Sequence, residues 1–158
     1  MTSSAQLEDF RLPASTGHTL SLDSFQGKVP LVLVFLPDTG SDAVALLQEM
    51  DRRHKDFGAE RAQILAVKKA TARQVRELAD DHEVSVPILA DASGAMARDY
   101  DAADYPHAVA VVADKEGNMK RRFTNLLEGN DPGRAVESLL YTIRALGTNT
   151  LEPDEEDE

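Results

Sequence analysis

The sequence predicts an α/β domain, a three-layer sandwich on a mixed central sheet with an N-terminal β-hairpin. Three observations predict it. Short apolar runs of strand length alternate with longer stretches of helical periodicity, the pattern of a sheet covered on both faces. Residues 31–36 are six consecutive apolar residues, which suits a strand buried on both sides. Residues 109–123 read as two strands around the turn Asp114-Lys-Glu-Gly-Asn118, adding antiparallel strands to one side of a parallel centre.

Each element has its own signal. Phe10 and Leu12 alternate with polar residues, Ser15-Thr-Gly-His18 marks a turn, and residues 19–22 alternate again, which is a hairpin. Asp23-Ser-Phe-Gln-Gly27 is a short turn ending in glycine. Pro37 ends the central strand because proline has no N–H for a ladder. Ala43, Leu46, Leu47, Met50, His54 and Phe57 fall at helical spacing, predicting one helix to about Gly58. Residues 62–67 are a second strand. Thr71 caps a helix that carries Val75, Leu78, Ala79 and His82 on one face. Residues 86–90 are a third strand, and Asp91 or Ser93 starts a short helix through Met96, Ala97 and Tyr100. Residues 107–113 are a fourth apolar strand and 119–123 its hairpin partner. Asp131-Pro132 is an N-cap followed by proline at the first helical position; Ala135, Val136, Leu139, Leu140, Ile143 and Leu146 give that helix its core face, and Gly147 is expected to end it. One domain over 1–147 is expected, followed by an acidic disordered tail over 148–158.

Composition narrows the function classes. The chain has 158 residues and no cysteine, which excludes disulfides, thiolate chemistry and cysteine-based metal sites. The formal net charge is −11, and six acids lie in the last seven residues. Nucleic acid and anionic membranes are poor partners for such a surface. No stretch is long and apolar enough to span a membrane, and Met1-Thr-Ser-Ser-Ala has no signal character, so a cytoplasmic protein is expected. An acidic surface with only 6 lysines among 17 basic residues also suits a high-salt interior. His18, His54, His82 and His107 share no ligand spacing, so neither a metal site nor a cofactor is expected. Arg121-Arg122 reads as a solvated strand edge.

Several stretches resemble the peroxiredoxin family of the alkyl hydroperoxide reductase/thiol-specific antioxidant type. Phe10-Arg-Leu-Pro13 with Gly17-His-Thr-Leu-Ser-Leu-Asp-Ser-Phe-Gln-Gly27 is similar to the family's N-terminal hairpin and its approach to the central strand. Pro87-Ile-Leu-Ala-Asp91 with Gly94 and Tyr100, and Val111-Val-Ala-Asp-Lys-Glu-Gly117, resemble two further family segments. The resemblance covers residues 7–146 and implies a thioredoxin-like fold. It also implies where chemistry would sit. The family's active loop is Pro-x-x-x-Thr-x-x-Cys, and Thr39-Gly40-Ser41-Asp42 keeps the threonine and the three-residue step, with Asp42 in place of the peroxidatic cysteine. The family's catalytic arginine falls on Ala108. Tyr105-Pro106 resembles the Tyr-Pro pair, cis in thioredoxins, that faces the active loop, with His107 beside it.

The candidate remnant site is therefore Thr39, Gly40, Ser41 and Asp42, faced by Tyr105, Pro106 and His107. Against this stands a purely structural role, in which Asp42 complements a helix dipole, worth about 0.3–1 kcal/mol. Three functions compete. The first is a peroxiredoxin-like protein without peroxidase activity that binds a protein partner or forms a homodimer. The second is a non-thiol enzyme or redox-related antioxidant protein using Asp42, Thr39 and His107. The third is a flavodoxin-like phosphate or flavin binder, because a Thr-Gly-Ser turn after a strand can cradle phosphate; Asp42 opposes that reading by placing like charge against the phosphate.

Overall fold

A computed structural model describes residues 6–36, 42–102, 108–124, 126 and 131–151, with backbone alone at 42 and 147–151. The apolar run becomes β3, Leu31–Phe35, the middle strand of a five-stranded sheet. Its parallel neighbour is β4, Gln63–Lys68, which in turn pairs in parallel with β5, Ile88–Ala90. On its other edge β3 pairs antiparallel with β6, Val109–Ala113, and β6 pairs antiparallel with β7, Met119–Phe123. The order is β5-β4-β3-β6-β7. A flavodoxin-like sheet of this size would be parallel throughout, so that alternative does not describe this architecture.

Side chains along a strand alternate between faces, and each face here has its own core. Val32, Val34, Ile64, Ala66, Ala110 and Val112 pack under α1 (Asp42–Arg52), α2 (His54–Ala59), α3 (Ala72–Asp81) and α5 (Pro132–Leu151). Leu31, Leu33, Phe35, Leu65, Val109 and Val111 face the opposite cluster. That cluster is closed by α4 (Ala95–Asp99) and by the hairpin of β1 (Arg11–Pro13) and β2 (Thr19–Ser21). The expected sandwich and N-terminal hairpin are therefore both present. The hairpin also guards a sheet edge: Ser15 N–H donates to Ile88 O at 2.9 Å, and Ile88 N–H donates to Ser15 Oγ at 2.9 Å.

The expected caps are in place. Thr71 Oγ1 accepts from Gln74 N–H at 3.1 Å while Gln74 Oε1 accepts from Thr71 N–H at 2.8 Å, a reciprocal box. Asp131 Oδ1 accepts from Arg134 N–H at 3.0 Å ahead of Pro132. Both candidates for the α4 start take part: Ser93 Oγ accepts from Ala95 N–H at 3.2 Å, and the buried Asp91 carboxylate accepts from Met96 and Ala97 N–H at 3.1 and 2.9 Å.

Four expectations need correction. The helix expected to run unbroken to Gly58 breaks at Arg53, whose guanidinium binds Asp56 at 2.6 Å and Glu137 of α5 at 2.7 Å. The third strand starts at Ile88, not residue 86. Pro87 has no N–H to give, and the N–H groups of Ser85 and Val86 donate instead to Asp51 Oδ1. Gly147 does not end α5, which runs on to Leu151. One glycine costs a helix about 1 kcal/mol relative to alanine, too little to stop a long one. The Arg121-Arg122 pair is more than a solvated edge. Arg121 lies 4.7 Å from the centre of the Phe123 ring, and Arg122 reaches across to backbone carbonyls beyond α4. Residues 152–158 of the expected tail lie outside the described residues.

The β6–β7 turn holds Gly117 at φ +88°, and a Cβ there would sit 2.5 Å from Gln26 Nε2. Gly117→Ala should cost about 1–2 kcal/mol through the left-handed backbone and the displaced Gln26 amide. Thermal unfolding should show a midpoint about 2–8 °C lower.

Candidate functional site

The site is framed by the end of the sheet at which its parallel strands finish, where open α/β sheets place ligands. At that end Phe35 of β3 is level with Val67 of β4 and with Val109 of β6. Leu36 N–H donates to Val67 O at 2.9 Å as the chain leaves β3. Ala108 enters β6 beside it, its carbonyl accepting from Leu126 N–H at 3.0 Å. The strand register thus brings Leu36 and Ala108 side by side at this end. Thr39, Gly40, Ser41, Tyr105, Pro106 and His107 themselves lie outside the described residues. Asp42 is placed as the first residue of α1.

The described frame is apolar on the α1 face. Leu36, Ala43, Ala108 and Leu126 are all buried in one cluster, and Ala108 has no exposed surface at all. A methyl group therefore occupies the position onto which the resemblance maps a catalytic arginine. On the opposite face the Phe35 ring packs against Tyr100, with centroids 5.5 Å apart.

Tyr100 is buried and its hydroxyl donates to Glu8 O. Burial pushes its phenol well above the usual tyrosine range, and the nearby Glu8 carboxylate pushes the same way. It is therefore a fixed donor at neutral pH rather than a general base. Arg122 secures the next stretch of chain, Nη1 donating to Tyr100 O and Nη2 to Asp101 O, while Asp101 holds a left-handed φ of 56°. Sequence periodicity places Tyr100 on a helix face but does not show that β7 reaches it.

No group of three or more potential metal ligands occurs among the described residues. A separate open depression of about 310 Å³ on the hairpin is lined by Asp9, Phe10, Arg11, Ser21, Leu22 and Asp23. It brings together two carboxylates and a guanidinium.

The sequence model of the AhpC/TSA family matches residues 4–122. The chain belongs to the AhpC/TSA family. Solved structures agree over nearly the whole chain. Enterococcus faecalis AhpC is 20% identical with a TM-score of 0.82, covering 99% of this chain and 98% of that one. Peroxidoxin BcpB of Mycobacterium tuberculosis is 20% identical with a TM-score of 0.78, covering 92% of this chain and 97% of that one. Plasmodium yoelii Prx1a, modified at its N-terminus and forming an artifactual octamer, is 22% identical with a TM-score of 0.77, covering 97% of this chain and 95% of that one. A search of curated proteins found no match. Identities of this size speak to the fold, which is thioredoxin-like and of peroxiredoxin type. This AhpC/TSA-family chain has that fold and no cysteine in it. No described helix is long and apolar enough to cross a membrane.

The raised Tyr100 phenol gives a pH dependence of known sign. Its contribution to stability is complete below the unfolded tyrosine value of about 10 and is lost as pH rises through the higher folded value. Denaturant titrations from neutral to strongly alkaline pH should show wild type losing its advantage over Tyr100→Phe. At neutral pH the variant should be weaker by about 0.5–1.5 kcal/mol, because Glu8 O loses its donor.

Proposed function

We propose that this AhpC/TSA-family protein has no thiol peroxidase activity and acts by binding, to a protein partner or to a second copy of itself. The observation that carries the reading is the absence of cysteine from all 158 residues. Peroxide reduction of the family type needs a thiolate that attacks the O–O bond, expels water or an alcohol and is itself oxidised to a sulfenic acid. The carboxylate of Asp42 forms no such species, and Ala108 offers no cation to a peroxide.

The binding surface in this reading is the end of the sheet that holds the remnant loop, with Asp42 as its recognition charge. Thioredoxin-like folds present that end to solvent through loops, which a rigid sheet positions. Loss of the nucleophile leaves the scaffold intact, because β3, β4 and β6 are held by backbone pairing and apolar burial rather than by residue 42.

Two measurements test the proposal. Purified wild type should consume neither hydrogen peroxide nor organic hydroperoxides with a dithiol or thioredoxin as reductant, and sustained turnover would overturn the reading. Asp42→Cys should react with peroxide no faster than a free thiolate at equal ionisation. Affinity capture from the native host's lysate, paired with size-exclusion chromatography, should then separate wild type from Asp42→Arg. A partner or dimer present with wild type and lost in the variant is expected. Identical behaviour of the two would leave Asp42 a helix cap.

A further inference from the structure

Lys69 and Arg98 bring two positive charges over one glycine. Lys69 follows β4, and Gly94 lies between β5 and α4, so both sit where the parallel strands finish. Gly94 is buried and holds a left-handed φ of +78°. A Cβ there would lie 3.3 Å from Arg98 Nη1, 3.5 Å from Lys69 Cε and 3.6 Å from Lys69 Cδ. The lysine stem therefore lies across the bare glycine, and the guanidinium reaches the same spot. Both cations are exposed.

Neither is neutralised there. No ion pair among the described residues includes Lys69 or Arg98. The buried Asp91 carboxylate is taken up by Met96 and Ala97 N–H. Asp99 is next to Arg98 in the chain, and successive helical residues do not face each other. Arg98 folds back over its own helix, Nη1 donating to Ser93 O at 3.1 Å. That bond fixes one arm of the guanidinium. It leaves Nε and Nη2, the two-pronged edge that grips a carboxylate or phosphate, without a partner among the described residues. Like charges gathered at one point repel, and water and salt reduce that cost without removing it. An anion with several oxygens removes it, by accepting from the Arg98 edge and the Lys69 ammonium together.

We propose that Lys69, Arg98 and Gly94 form a subsite for a phosphate-class dianion, free or carried on a small molecule. The net charge of −11 opposes long polyanions, so the subsite suits one compact group rather than a nucleic acid or an anionic membrane. Gly94 belongs to it because a side chain there would crowd both cations. The subsite stands apart from the binding reading above, since α4 covers the sheet face opposite α1.

The test titrates the full-length protein, labelled with nitrogen-15, with inorganic phosphate at an ionic strength held constant by sodium chloride. Saturable amide shifts should centre on Ser93, Gly94 and Arg98. Lys69→Gln and Arg98→Gln should each raise the phosphate dissociation constant about tenfold, the loss of one charge-assisted contact. Lys115→Gln removes an exposed lysine from the β6–β7 turn, at the other end of the sheet, and should leave the constant unchanged. Should Arg98→Gln fail to fold by circular dichroism, Arg98→Lys keeps the charge without the two-pronged edge and should still bind several-fold more weakly than wild type. A second arm replaces phosphate with phenyl phosphate. Tighter binding assigns the subsite to a phosphoryl group on an organic molecule, and equal or weaker binding assigns it to the free ion. Shifts that stay linear in both ligands would overturn the proposal. So would an equal loss in Lys115→Gln, since that marks diffuse surface charge.

Discussion

A strand buried on both faces must find partners for its backbone on both edges, and this requirement organises the whole molecule. Every residue of β3 is buried, so an unpaired N–H or carbonyl there would have no water to turn to. Parallel β4 and antiparallel β6 satisfy it from either side. Once those registers are set, the two cores follow from side-chain alternation, the helices from the need to cover them, and the site end from the place where β3 and β4 stop together.

Nothing in that arrangement requires a nucleophile. Asp42 is the first residue of α1. Ala108 is buried among aliphatic neighbours, and Tyr100 is kept protonated by its burial. Family chemistry depends on a low-pKa sulfur, whereas the family fold depends on backbone pairing and apolar area. The first can be lost while the second persists, and sequence identities of 20–22% with overlays spanning nearly the whole chain illustrate the separation.

The fold was largely legible in the sequence because its signals are local. Strand runs, the Thr71 and Asp131 caps and the Asp114 turn all depend on residues within a few positions of one another. The break at Arg53 was not legible. Met50 and Phe57 lie seven residues apart, in phase along a straight or a bent helix, and the ion pair to Glu137 comes from a distant element. The roles of Arg122 and Tyr100 were hidden for the same reason, since their contacts join β7, α4 and the N-terminal segment. Of the loop motif only Asp42 is among the described residues, as the start of α1, and the residues around it, Leu36 and Ala108, are brought together by strand register.

By itself the sequence determined one chemistry that is closed to this protein: no thiol exists anywhere in it, and that is a matter of composition. It also determined the kinds and order of the secondary elements, because propensity, capping and periodicity act over a few residues. Only the tertiary structure decided which residues meet at the end of the sheet. Ala108 beside Leu36, and Phe35 level with both Val67 and Val109, are consequences of pairing between strands far apart in the chain. Such pairing is chosen by the burial of both faces of β3 at once, a condition no single stretch of sequence contains.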